Sequence, residues 1–373
     1  MFFIPLINYV RMYSLKQTKT VTVKDIAKRL GVSLSTVNKA LTGKSGISEA
    51  RRAEIIAVAD EMGYVVNHVA QALARKPINI GIIIPSLWQQ YFASIEHGLK
   101  MELDKLAHLN VTGSFKYVSD SKDIARAFRS LCEEKADVIL YCPSLLDVSD
   151  ETKELVSSCV IPIFTVGDKC KDIEGVCSVT PNSKISGYMV ADLFGAVLGR
   201  TAKVAVFIGS NGHNSHVEKV QSFSERAQAL GIELVKIYET YDDHNTASEC
   251  VRRLQKDCPY VNGVYIATGI AGPVLDFFKE KERALCPYIV TTDLYDEIRE
   301  GVKGGYVGAT VFQNQVLMGR LSVRKAYNYI VEKYSYNKSS EELPRNIYIS
   351  PRLFMPSSVE EFVSDYGNEY TVE

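Results

Sequence analysis

VKDIAKRLGVSLSTVNKAL, residues 23–41, writes two short amphipathic helices joined by a tight turn. Thr22 can cap the first helix, and Asp25, three residues on, places a carboxylate where a helix N-terminus favours one. Ile26, Ala27 and Leu30 form a narrow apolar stripe, while Lys24, Lys28 and Arg29 point elsewhere. Gly31 supplies the left-handed residue that ends the helix. Val32 anchors the turn, and Ser33 can cap a second helix from Leu34 to Leu41. In that helix Val37, Ala40 and Leu41 make the inner face, and Leu34, Ser35, Asn38 and Lys39 are left outside. This outward face, with Thr22, Lys24, Ser33 and Thr36 at its margins, suits base edges and phosphates in a DNA major groove. The helix pattern alone also fits any small three-helix domain, so the flanking sequence has to decide.

On the C-terminal side, Ser48 can cap a third helix, Glu49 to Met62, with Ala53, Ile56, Ala57 and Ala59 available for its buried side and Gly63 closing it. Three such helices make a headpiece whose own core is marginal. Next, Asn67-His-Val-Ala-Gln-Ala-Leu-Ala74 writes one or two helical turns, too short to hold in water alone. It is either a plain linker or a segment that folds when a partner helix and DNA are present. Pro77 then ends the module. Through Lys76 the chain carries 12 Lys and Arg against 5 Asp and Glu, a net of +7. The remainder carries 31 against 39, so the overall charge of −1 conceals a basic head on an acidic body. That distribution fits a small phosphate-seeking module attached to a domain with another task.

VTVKDIAKRLGVSLSTVNKAL, ISEARRAEIIAVADEMGY and NHVAQALA together are similar to the headpiece and hinge of LacI/GalR-family bacterial transcriptional regulators, and the resemblance runs from Val21 to about Phe354. It implies a homodimer on double-stranded operator DNA. The hinge helices of two subunits would pair in the minor groove, with Asn67, Val69, Ala70 and Leu73 as contacts and Leu73 wedged between base steps. Two departures stand out. Asn38-Lys39 occupies the place where members commonly carry Ser-Arg, and lysine lacks arginine's fixed fork for a guanine. Val65-Val66 replaces the frequent x-Pro before Asn67, which leaves the approach to the hinge less rigid.

From Ile78 the pattern alternates strand and helix. INIGIII, VTGSFKYV, ADVILYC and IPIFTVG form one series, and KVAVFIG, IELVKIYET, GVYIAT and YIVTTD form a second. Helical stretches separate them, such as Phe92 to Leu106, Lys122 to Cys132 and runs near 183–198, 216–230, 245–256 and 272–281. The fold expected is α/β: a three-helix headpiece and hinge, then a two-lobed, doubly wound clamshell that closes on a small ligand, as in periplasmic binding proteins.

Ligands of open α/β sheets sit at the carboxyl ends of strands, which nominates loops. Pro85-Ser-Leu-Trp88-Gln89-Gln90-Tyr91-Phe92 follows the first strand, and Trp88, Gln89 and Tyr91 offer a ring platform beside amides; Phe92 reads as an ordinary core aromatic. Gly167-Asp168 ends the fourth strand. His216-x-x-Lys219 resembles the family's H-x-x-R, whose arginine contacts the effector, with Lys219 and Ser222 standing for Arg and Gly. A planar clamp is thereby lost. Asp293 falls where the family has an aspartate that binds effector hydroxyls. Gln313-Asn314 resembles the family's Q-N-P at a crossover between lobes, with Gln315 for proline.

No G-x-G-x-x-G opens the first βα unit, and there is no Walker loop, G-x-S-x-G elbow or Cys/His cluster, so the sequence offers catalysis no footing and calls for no cofactor and no metal. His213 and His216 lack a third ligand nearby. Eight scattered cysteines without a C-x-x-C pair fit structural thiols in a reducing cytoplasm. MFFIPLINYV is too short to span a bilayer and lacks the basic start of an export signal, so no membrane is expected as a partner. Residues 1–20 read as a disordered extension, 21–66 as the headpiece, 67–77 as hinge, 78–356 as the effector-binding and dimerisation body, and 357–373 as a tail without leucine heptads. The function expected is a DNA-binding regulator, a repressor by family precedent, controlled by a small carbohydrate-like metabolite. A periplasmic sugar-binding protein, an α/β enzyme and a regulator governed by a protein co-effector are the rivals.

Overall fold

The computed structural model describes residues 21–41, 45–64, 76–86, 89–144, 148–333 and 343–359. It divides into two compact units, the headpiece and the body. The hinge positions Asn67, Val69, Ala70 and Leu73, along with Trp88 and the N-terminal extension, lie outside the described residues.

In the headpiece, α1 (Val23–Leu30), α2 (Leu34–Leu41) and α3 (Glu49–Glu61) enclose a core of Ile26, Ala27, Val37, Ala40, Ile55 and Ala59. The Asp25 carboxylate accepts from the Thr22 N–H at 2.8 Å and its hydroxyl at 2.6 Å, and Gly31 leaves α1 at φ 64°. Ser33 accepts from the Thr36 N–H at 3.1 Å to start α2. The third helix departs from its expected face: Ala53 and Ala57 are exposed, Ile56 is half-buried, and Ile55 takes the core position. Arg52 explains the rotation. Its side chain is buried and donates to the carbonyls of Lys39 (2.9 Å) and Ala40 (3.4 Å), satisfying acceptors at the C-terminal end of α2 that no intrahelical N–H reaches. An apolarity count assigns arginine to solvent, so the face comes out turned.

The body contains two six-stranded sheets. Lobe 1 holds β1 (Ile78–Pro85), β2 (Val111–Val118), β3 (Val138–Tyr141), β4 (Ile163–Val166), β5 (Cys177–Pro181) and β11 (Asn346–Ile349), ordered β11-β5-β4-β3-β1-β2 and parallel throughout. Lobe 2 holds β6 (Lys203–Ile208), β7 (Glu233–Glu239), β8 (Gly263–Ile266), β9 (Tyr288–Thr292), β10 (Val307–Phe312) and β12 (Arg352–Phe354), ordered β12-β10-β9-β8-β6-β7, with β12 alone antiparallel. Central strands such as β3, β4 and β8 are buried along their whole length because helices cover both faces, whereas the edge strands β2 and β7 are mostly exposed or half-buried.

The helices are α4 (Gln89–Leu106), α5 (Ser121–Glu133), α6 (Asp150–Ser158), α7 (Ser183–Leu198), α8 (Asn214–Leu230), α9 (His244–Asp257), α10 (Gly272–Lys279), α11 (Asp296–Lys303) and α12 (Gln315–Lys333). Three crossovers join the lobes: β5 to α7, β10 to α12, and β11 to β12. Thus α12, which follows a lobe 2 strand, places Met318, Val323, Ala326 and Ile330 in the lobe 1 core. Packing continues past 356, since Val359 is buried against lobe 2. All eight cysteines are free thiols; the Cys132 and Cys159 sulfurs stand 3.2 Å apart, and burial with that neighbour pushes the Cys132 thiol up to about 11. Among the described residues no helix is long and apolar enough to cross a membrane.

Candidate functional site

Two surfaces carry the chemistry, one in each unit. On the headpiece, Leu34 is 43% exposed and Ser35 and Asn38 also face solvent, although α2 has every opportunity to bury a leucine. Thr22, Lys24 and Ser33 are exposed, while Thr36 and Lys39 are half-buried. Six of the twelve basic residues before Ile78 fall on described headpiece positions. Arg29 pairs with Glu61 at 2.5 Å, Arg51 with Glu54 at 2.6 Å, and Arg52 is inside. Lys24, Lys28 and Lys39 supply the other cations of α1 and α2, whereas Glu49, Glu54, Asp60 and Glu61 all lie on α3. The headpiece is therefore polarised rather than uniformly basic, with its positive potential on the α1–α2 side.

In the body a cavity of about 490 Å³ opens between the lobes at the carboxyl ends of the strands, where a doubly wound sheet places its ligand. Lobe 1 contributes Gln90, Tyr91, Phe92, Pro143 and the Gly167-Asp168 turn. Phe92 is buried and meets Tyr91 edge to face with ring centroids 5.3 Å apart, as a core aromatic does. The Tyr91 hydroxyl donates to the Gly167 carbonyl at 3.2 Å, and burial with Asp293 and Asp168 nearby keeps that phenol protonated. Gln89 begins α4, but its side chain lies outside the described residues.

Asp168 reaches across to lobe 2. Its Oδ2 accepts from the Ser215 N–H (3.3 Å) and hydroxyl (3.2 Å) and stands 3.2 Å from His213 Nδ1, at the N-terminus of α8. Asn214 Nδ2 donates to the Lys169 carbonyl at 2.9 Å in the same contact. A carboxylate suits this place because the first N–H groups of a helix have no intrahelical partner.

Lobe 2 provides most of the polar wall. Lys219 lies on α8 with 2% exposure, donating to the Ala267 carbonyl at 3.3 Å. Burial pulls its ammonium below the usual lysine value, against the opposing pull of Asp293, Asp168 and Asp242. His216, beside it, is held well below 6.5 by burial, and its Nδ1 accepts the Ser210 N–H at 3.2 Å, so the ring is neutral with its proton on Nε2. Ser222, where the family pattern has glycine, fits by turning its hydroxyl onto the Glu218 carbonyl at 2.7 Å.

Asp293 is 1% exposed at φ 72°, a left-handed conformation that Asp tolerates better than most residues. Its carboxylate accepts from the Gln313 N–H (3.3 Å), Gln313 Nε2 (3.0 Å) and the Tyr295 hydroxyl (3.4 Å), and burial raises its pKa. Asn314, at φ 59°, caps α12 through the Leu317 N–H at 3.1 Å. Gln313 and Asn314 sit on the β10-to-α12 crossover, so ligand contacts there would touch the segment on which the lobes turn.

Asp168, Lys219, Asp293, Gln313 and Tyr91, each nominated from sequence, thus share one cavity. The sequence reading passed over Asp242, Tyr295, Thr268 and the role of His216. Asp242 follows β7 at φ 52°, accepts the Thr268 hydroxyl, and is raised in pKa by burial. Gly209 makes room for it, since a Cβ there would stand 2.4 Å from its carboxylate and 2.6 Å from the His216 ring. The strand-end rule would have found Asp242 and Thr268 had it been applied after β7 and β8 as well.

Comparison with known proteins agrees with this division. A family described as periplasmic binding protein domain matches residues 80–333, and bacterial regulatory proteins, lacI family, matches residues 22–67. Catabolite control protein A of Staphylococcus xylosus is 26% identical over 194 residues, 52% of this chain and 56% of the relative. The chain thus spans about half the length of the curated relatives it matches. Among solved structures, GanP, a glucose-galactose binding protein from Geobacillus stearothermophilus, superposes with TM-score 0.66 at 18% identity, covering 76% of this chain and 99% of that one. A solute binding protein from Bacillus halodurans C-125 with bound myo-inositol gives 0.66 at 17%, covering 78% and 98%. At such identities the likeness is one of fold.

Proposed function

The chain belongs to the periplasmic binding protein domain family and carries a headpiece of the lacI family, and from that premise we propose a sequence-specific DNA-binding regulator, acting as a homodimer in the cytoplasm, whose operator affinity is set by a small carbohydrate-like metabolite. The observation that carries the reading is the cavity of about 490 Å³, lined by carboxylates, amides and aromatic rings, between lobes joined by three crossovers, in a chain whose headpiece exposes Leu34, Ser35 and Asn38. Relatives of like fold that bind glucose, galactose or myo-inositol support a polyhydroxylated ligand. Leu34, Ser35, Asn38 and Lys39 would read bases, with Thr22, Lys24, Ser33 and Thr36 on phosphates. Asn67, Val69, Ala70 and Leu73 would follow the minor groove. Ligand held between the lobes favours one arrangement of them and so shifts DNA affinity; DNA must shift ligand affinity by the same factor. Repression is the sense of control proposed.

The test is selection of a DNA site with the full chain, then binding to it as salt is raised, with and without sugars that raise the melting temperature. Affinity should fall about 10³-fold between 50 and 200 mM salt, and a stabilising sugar should move it further. A flat salt response, or a sugar that stabilises the protein without altering DNA binding, refutes the corresponding half of the proposal.

A further inference from the structure

The cavity wall is unbalanced in charge. Asp168, Asp242, Asp276, Asp293 and Glu297 line it, against Lys219 and the imidazoles of His213 and His244; His216 is neutral, and no arginine is among the described lining residues. Of the helix N-termini, the usual backbone sites for a bound anion, three near this cavity hold the protein's own carboxylates, while the first turns of α4 and α10 carry no acidic residue. Asp168 occupies that of α8, Asp296 and Glu297 stand in the first turn of α11, and Asp243 caps α9 by accepting the Thr246 N–H at 2.8 Å. At α10, which starts Gly272-Pro273, Asp276 lines the cavity just beyond the first residues. A phosphate or carboxylate entering this space would meet like charge at the buried Asp168 and Asp293, where water screens little, and at the half-buried Asp242; Asp276 is exposed beside Lys279, and Asp243 and Asp296 lie outside the lining.

A cation meets the opposite situation. Asp242 and Asp293 are held by neutral donors, the Thr268 hydroxyl for the first and Gln313 with the Tyr295 hydroxyl for the second; Lys219 stands near both, and His213 also acts on Asp242. Tyr91, Phe92 and Tyr295 add ring surface on which an ammonium or the CH face of a sugar can lie. We propose that the ligand of this cavity is a polyhydroxylated amine, a sugar or polyol carrying a protonated amino group, and that sugar phosphates and sugar acids are excluded. The inference rests on the reading of this cavity as the effector site and goes further by fixing the charge of what enters it.

The experiment is titration calorimetry on the full chain with matched series: glucose, glucosamine, glucuronate and glucose 6-phosphate, and the same four forms in the galactose and mannose stereochemistries. In at least one series the amine should bind about 10-fold more tightly than the neutral sugar, with the acid and phosphate weaker than both. Asp242→Asn and Asp293→Asn, whose backbone conformations Asn also adopts, should each be made. In one or both the amine's advantage over the neutral sugar of its series should shrink toward parity. An acid or phosphate that binds more tightly than its amine overturns the inference and leaves the effector reading standing. An amine advantage untouched by both variants also overturns it. Silence from every series at about 10 mM, with the chain shown to be folded, removes the effector reading itself and this inference with it.

Discussion

The two lobes share one strand order yet divide the cavity unequally. Lobe 1 gives an aromatic and backbone wall, Tyr91, Phe92, Pro143 and Gly167, together with one carboxylate; lobe 2 gives Lys219, His216, Asp242, Asp293, Tyr295 and Gln313. The carboxylates themselves differ. Asp168 takes donors from the opposite lobe, whereas Asp293 takes them from Gln313 and Tyr295 at its own sheet. On the proposed function, the first holds the lobes together and the second meets the ligand. On that proposal, duplicated topology supports two jobs, lobe 2 recognising and lobe 1 covering.

Helix packing gives the harshest way to probe that division. In lobe 1 a Cβ on Gly98 of α4 would stand 2.1 Å from the Val316 carbonyl oxygen, and one on Gly319 of α12 would stand 2.2 Å from that of Ile95. In lobe 2 a Cβ on Gly187 of α7 would stand 2.1 Å from Ser222 Oγ and 2.4 Å from the Lys219 carbonyl on α8. Alanine in a helix recovers about 1 kcal/mol over glycine, while forcing two backbones apart costs about 3. Gly98→Ala should therefore lose about 2 kcal/mol of stability in urea titrations, with sugar affinity little changed in the folded fraction. Gly187→Ala should lose a similar amount and also weaken sugar binding, because it displaces the backbone that carries Lys219. Equal effects of the two substitutions on affinity would erase the distinction between covering and recognising lobes.

The same lobes show where sequence reading reaches its limit. Alternating apolar runs and helical stretches placed the strands because β1, β3, β4, β6, β8 and β9 are buried on both faces, and such runs are hard to miss. The strand-end rule brought Tyr91, Asp168, Asp293 and Gln313 to one cavity, and the H-x-x-K spacing brought Lys219. What stayed hidden depends on partners distant in sequence. Asp168 binding the N-terminus of α8, 45 to 47 residues away, leaves no local signature. Arg52 turned α3 by satisfying carbonyls 12 and 13 residues back, which no count of apolar positions anticipates.

Asp168→Ala tests the covering role at a smaller scale. It strips the α8 N-terminus of its carboxylate and leaves the Ser215 N–H and hydroxyl to water. A partly buried carboxylate at a helix N-terminus contributes about 1–2 kcal/mol, here spent between lobes rather than within one. The variant should keep its melting cooperativity while hydrogen exchange at the start of α8 quickens and the radius of gyration in solution scattering rises. Unchanged exchange at Ser215 would show that closure rests elsewhere, on the crossovers alone.

Asp293→Asn gives the smallest effect and the one whose sign is most telling. Burial raises the folded-state pKa of Asp293 above its ordinary 3.8, even with Lys219 pulling the other way. A carboxyl that binds its proton more tightly folded than unfolded stabilises the fold below the unfolded value and loses that contribution as pH rises through the raised one. At neutral pH the ionised group is thus a net cost to the unliganded protein. Asn removes the charge, suits φ 72°, and keeps one oxygen that can accept from Gln313 Nε2 and the Tyr295 hydroxyl, giving up the acceptor for the Gln313 N–H. Without ligand the variant should be more stable than the parent at pH 7.5, with the gap closing as pH falls toward 4, while ligand-induced stabilisation is lost. Paired urea titrations at the two pH values measure it. A gap of the opposite sign, or one that pH does not move, would mean that lobe 2 carries Asp293 for its own stability, and the comparison with Asp168 would collapse.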